Sequence, residues 1–84
     1  MQYRFEIKPK LEKKDPVMFK AVREKIKEII KKPYRYKPLR YNLKGSRRVH
    51  LEKSFVLVFE IDEAEKTVRF LDMGHHDEIY RKKH

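Results

Sequence analysis

Residues 54–61 read SFVLVFEI, an almost continuous apolar run in a chain whose mean hydropathy is strongly negative. A strand whose two faces are both apolar belongs in the middle of a sheet with another layer packed over it. The rest of the chain therefore has to supply flanking strands and a cover.

The cover is found upstream. Asp15-Pro16 reads as a helix N-cap followed by proline at the first helical position. Phe19, Val22, Ile26 and Ile29 then recur at helical spacing, with Val17, Met18 and Ile30 expected to widen the stripe. Pro33 ends the helix. Flanking strands are predicted on both sides of the central run. RRVHLE alternates, TVRFLDM is shorter, and DEAE supplies the turn between the last two strands. At the N-terminus, QYRFEIK alternates Tyr3, Phe5 and Ile7 against Arg4, Glu6 and Lys8, and PKLEKK follows as a short helical turn. The expected architecture is a single α+β domain over residues 1–84, of order β-α-β-β-β. Its mostly antiparallel sheet packs against one main helix.

Composition narrows the chemistry. With 84 residues there is room for one small core. The absence of cysteine removes disulfides and thiolate metal sites. No apolar run approaches the roughly 20 residues of a membrane span, and no signal-peptide core follows the N-terminus. A cytoplasmic protein without a membrane partner is expected. One Asn, one Gln and two Gly beside abundant Lys, Arg and Glu suit a thermophile.

The net charge of +10 is unevenly placed. Residues 1–30 carry nine basic and five acidic side chains, residues 31–51 eight basic and none acidic, and residues 52–84 six basic and eight acidic. The excess thus sits in KKPYRYKPLRYNLKGSRRVHL, interleaved with Tyr34, Tyr36 and Tyr41. Cations that meet phosphates and rings that stack on bases suit a polyanion groove. Arg40, Tyr41, Lys44 and Arg47 are the candidate RNA contacts here, joined by His75 further along. A solvated basic face is the simpler alternative.

On a strand over RRVHLE, Val49 and Leu51 face the core with the stem of Arg47, while Arg48, His50 and Glu52 share the other face. Arg48 and His50 are then about 7 Å apart along the strand. If the last three strands form a meander, the chain after Gly74 emerges where His75, His76 and Tyr80 can converge on that face. Cleavage of RNA by its own 2′-hydroxyl needs a base, an acid for the leaving 5′-oxygen and cations around the phosphorane-like transition state. Two histidines among Arg and Lys supply those parts without metal or cofactor. His75, His76 and Asp77 are adjacent, so their side chains diverge, and they lack the i, i+4 spacing of a helical zinc pair. No metal site is assigned.

The segments DPVMFKAVREKIKEIIKKPYRYKPLRYNLKG, RRVHLEKSFVLVFEID and GHHDEIY resemble the RelE/ParE superfamily of toxin–antitoxin toxins, most closely its RelE and YafQ-like mRNA-cleaving branch. They cover nearly all of the chain beyond residue 15. The resemblance implies a type II toxin that acts as a ribosome-dependent endoribonuclease, or mRNA interferase, cutting mRNA in the decoding site and silenced by a cognate antitoxin. By the same resemblance, His50 matches a functional histidine of YafQ-like members, or a RelE strand lysine. Arg48 matches the other strand lysine, and His76 the histidine after the C-terminal glycine. Tyr80 matches the aromatic that stacks on a substrate base, and Lys44 a basic loop position. The catalytic candidates are therefore His50, His76, Arg48 and Tyr80, with the two histidine roles interchangeable.

The chain departs from that pattern at several places. Ser54 replaces a usual aspartate, Val56 a catalytic arginine of RelE, and Tyr41 an upstream histidine. The loop between Gly45 and His50 is shorter, and KPKLEKK is a truncated form of the family's first helix. Two non-cleaving alternatives stay open: a ParE-like inhibitor of DNA gyrase, and an RNA- or ribosome-binding module whose cations only grip phosphate.

Overall fold

The computed structural model describes residues 2–36, 46–51 and 54–81, the last two by backbone alone. The elements run β1 (Arg4–Ile7), α1 (Pro9–Lys14), α2 (Pro16–Ile29), a 3₁₀ turn (Pro33–Arg35), β2 (Arg47–His50), β3 (Phe55–Asp62), β4 (Thr67–His75) and α3 (His76–Arg81). The expected α+β order is observed, with an additional short helix at the C-terminal end.

The sheet order is β1-β4-β3-β2. Strands β2, β3 and β4 form the antiparallel meander, and β1 closes the sheet by pairing in parallel with β4, Arg4 opposite Thr67 and Ile7 opposite Phe70. The apolar run of β3 is interior as expected, and Val56, Leu57, Val58 and Phe59 are all fully buried.

Helix α2 begins where the sequence places its cap. The backbone N–H of Met18 donates to Asp15 Oδ1 at 3.0 Å, a contact that contributes about 1 kcal/mol in helices generally. Phe19, Val22, Ile26 and Ile29 are buried on one side of the helix, against Leu57, Phe59, Phe70 and Met73 of the sheet. Val17 is an exception to the expected stripe, since it is 81% exposed. It lies two residues, about 200° of helical turn, from Phe19, so it cannot share the buried side. Among the described residues, no helix is long and apolar enough to cross a membrane.

One irregularity sets the parity of β4. The pairing jumps from Val58–Asp72 to Phe59–Phe70, leaving Leu71 as an extra residue in β4. Such a bulge resets the alternation of side chains between faces. Phe70 and Met73, three apart, therefore both enter the helix-covered core. Asp72 and Gly74 are delivered to the other face, in the cross-strand rows of Arg48–Val58 and His50–Val56.

The β2–β3 turn closes through a hydrogen bond from Leu51 N–H to the Phe55 carbonyl at 2.7 Å, and Ser54 within it has φ of 66°. A side chain in this left-handed region is strained, whereas glycine is not. Ser54→Gly is expected to raise stability by up to about 1 kcal/mol. A urea midpoint that falls instead would show that this residue does not limit the turn.

Candidate functional site

The face of the sheet away from α2 carries the candidate chemistry. His50, exposed at the end of β2, is directly opposite Val56, while Arg48 is opposite Val58. Short helix α3 lies over Val56 and Val58 through Ile79, which is fully buried between them and next to Leu71. The first residue of α3 is His76, so this docking carries its ring back onto β2. The His50 and His76 rings stack at 24° with centroids 5.9 Å apart. Asp77 lies beside the pair, its Oδ1 3.5 Å from His76 Nδ1. Two half-open imidazoles, a guanidinium on the same strand face and a carboxylate at the rim can hold a phosphate and move protons on either side of it.

The two adjacent histidines part company. His75 is the last residue of β4, opposite Phe55, and its ring lies 5.5 Å from the Phe55 ring. That places it beside a cavity of about 190 Å³ lined also by Lys14, Asp15, Met73 and Glu78. It does not join the His50–His76 stack. Arg47 also points away, toward the helix-covered side. Its Nη1 donates to the Tyr36 carbonyl at 2.7 Å, and its guanidinium stacks 5.0 Å from the Tyr34 ring centre. The backbone of Tyr80 lies in α3, but its side chain falls outside the described residues, as do Arg40, Tyr41 and Lys44 entirely. Among the described residues, no group of three or more His, Asp or Glu converges as a metal site would require.

The Arg47 contacts belong to a network that sequence reasoning missed. The Tyr3 and Tyr34 hydroxyls both donate to the Glu63 carboxylate, which also pairs with Lys66. Lys66 first, then the Tyr34 and Tyr3 hydroxyls, hold the Glu63 carboxyl down at about 2 against an ordinary 4.5. A depressed carboxyl pKa favours the folded state fully above its unfolded value, and that contribution is lost as the pH falls through the folded value. Glu63→Gln should therefore flatten the decline in stability between pH 4.5 and about 2. Urea titrations at stepped pH would read this, and an unchanged acid limb would rule the network out as its source.

A second concavity, of about 610 Å³, lies between β1 and α2 with Phe5, Ile7, Phe19, Ile26 and Ile30 among its walls. Its walls are largely apolar and carry no histidine. The His50–His76 face is therefore the candidate site.

The fold has counterparts among known proteins. Residues 6–80 match the family model described as the ParE toxin of the type II toxin–antitoxin system, parDE. A Methanocaldococcus jannaschii protein named "Putative toxin RelE4" is 49% identical, across 96% of this chain and 94% of its own length. The toxin–antitoxin complex RelBE2 of Mycobacterium tuberculosis contains a chain that superposes with a TM-score of 0.73 at 25% identity, covering 89% of this chain and 99% of that one. Free E. coli RelE, in a doubly substituted form, superposes at 0.75 over 96% of this chain and 93% of its own; at 19% identity this speaks to the fold alone. The chain belongs to the RelE/ParE family of type II toxin–antitoxin toxins.

Proposed function

We propose that this toxin is an mRNA interferase that cleaves message on the ribosome by metal-independent acid–base chemistry, and that a cognate antitoxin silences it. The observation that carries the reading is the stacked His50–His76 pair on the Arg48 face. In this mechanism one imidazole takes the proton from a ribose 2′-hydroxyl, whose oxygen attacks the adjacent phosphorus. The 5′-oxygen leaves with a proton from the other imidazole, giving a cyclic phosphate and a free 5′-hydroxyl. Arg48 offsets the charge that builds on the phosphorane oxygens. Tyr80 stacks on a base next to the cut and Lys44 grips the strand, as the family resemblance implies, with Arg40 and Tyr41 of the same basic stretch beside it.

Val56 bears on how this chain does it. The residue at the position of the RelE arginine is fully buried under Ile79, so the transition-state cation has to come from elsewhere, and Arg48 is the cation on the same face. The antitoxin partner is supported by the RelBE2 likeness, since that relative was seen with its antitoxin. An excess of ten positive charges also suits an acidic segment that folds on binding.

The test is cleavage of mRNA on programmed ribosomes by purified protein in EDTA, with naked mRNA in parallel. Cuts at ribosome-occupied codons that persist in EDTA are expected. Salt-sensitive binding without cuts would replace this reading with an RNA- or ribosome-binding module. The ParE description of the matched family favours a second reading, inhibition of DNA gyrase, which a supercoiling assay would reveal. The paired histidines have no task in that reading.

A further inference from the structure

We propose that Lys14 is a positioning residue for the His50–His76 pair, acting through Asp72 and Glu78. The catalytic part of this inference rests on the nuclease reading above; its geometric part does not.

Helix α3 has six residues, far fewer than a helix needs to persist by itself in water. Its place on the sheet therefore comes from tertiary contacts. Ile79 provides the apolar one. A polar one is supplied by the last residue of α1. Lys14 Nζ lies 3.6 Å from Asp72 Oδ1 on β4 and bonds Glu78 Oε1 on α3. One ammonium thus ties three elements together within two residues of His76.

An exposed ion pair usually contributes little. This junction differs in two respects. Asp72 is only 4% exposed, so its charge is poorly screened by water. Moreover, two carboxylates meet around one ammonium, so removing it takes from both a cation that they share. The sequence also makes room for the junction. A Cβ on Gly74 would lie 2.9 Å from Glu78 Oε1 and 3.1 Å from Lys14 Nζ. A methyl here would push on the tips of these two side chains and leave the backbone, which is ordinary extended strand, undisturbed.

His50 is held by the β2–β3 ladder and does not depend on this junction. His76 opens α3, so any shift of α3 changes the separation of the two rings. Misplacing a catalytic group by about 1 Å can lower a rate by about 100-fold.

The experiment compares Lys14→Met, Gly74→Ala, the single variants Lys14→Glu and Glu78→Lys, and the charge-swapped double variant, all in the full chain. Cleavage on programmed ribosomes gives kcat and KM, thermal melting reports the fold, and proton NMR reports the proximity of the His50 and His76 rings. Lys14→Met and Gly74→Ala should lower kcat by about 10- to 100-fold. KM should change little and the two imidazoles should move apart, with the loss of kcat already present well below the melting transition. The swapped double variant should recover part of what each single variant forfeits, since the pair between positions 14 and 78 is restored while position 14 then opposes Asp72. Lys14→Met with wild-type kcat and the rings still stacked would overturn the inference. So would a kcat that falls only in step with the melting temperature and is not recovered by the swap. If the parent protein does not cleave mRNA, the nuclease reading fails, and the ring proximity alone then decides the role of Lys14.

Discussion

Alanine at His50 or at His76 is expected to reduce ribosome-dependent cleavage by about 10²–10⁴-fold, the usual contribution of a positioned acid or base. The melting temperature should barely move, because His50 is exposed and the His76 side chain is 47% exposed. Neither truncation opens a cavity in the core. The double variant should be little worse than either single, since groups that act on one proton-transfer path are not additive. Growth arrest in cells should be relieved in parallel. The pH dependence of kcat in each single variant would tell base from acid, because the limb belonging to the removed group should disappear. If both singles cleaved at the parental rate, stacking of the two rings would be a surface contact and the mechanism would fall.

The largest effect on stability is expected at Phe59. Its ring is fully buried, 5.7 Å from Phe70 and 5.9 Å from Tyr36 by ring centres, in the interior strand of the sheet. Phe→Ala at such a site costs about 3–5 kcal/mol. A domain of this length has only about 4–13 kcal/mol in total. At about 4–8 °C per kcal/mol for a domain this small, the melting temperature should fall by at least about 12 °C. Phe5→Ala, at an edge strand and 49% exposed, should cost distinctly less. Equal losses at the two positions would contradict the placement of the core. Because the Phe59 ring supports Tyr36, whose carbonyl holds Arg47, the same truncation should also loosen the approach to the basic segment.

How far the sequence could be read depends on whether a feature is local. The cap at Asp15, the stripe through Phe19 and Ile29, and the interior strand at 55–62 each rest on residues close in sequence, and each is observed. The face shared by Arg48 and His50 likewise follows from alternation within one short strand. What the pattern could not state was partnership. QYRFEIK alternates as an edge strand should, but nothing in it names β4 as the neighbour or parallel as the sense. The bulge at Leu71 was equally silent, although Phe70 and Met73 at a spacing of three in a strand were its trace. Alternation without a bulge would have put Asp72 toward the helices, which hid the junction with Lys14. The family resemblance set His76 apart from His75, and the strand-to-helix change between them is what sends one ring to Phe55 and the other to His50.

The parallel pairing of β1 with β4 has a consequence for how such a molecule comes into being. Arg4 finds its partner only at Thr67, so β1 has no place in the sheet until β4 has been made. Contacts this distant in sequence slow folding, because the loop must close before they stabilise anything. His76 arrives later still, and it meets His50 only once β3 and β4 have formed. The stacked histidine pair can therefore assemble only after all four strands and α3 have been made.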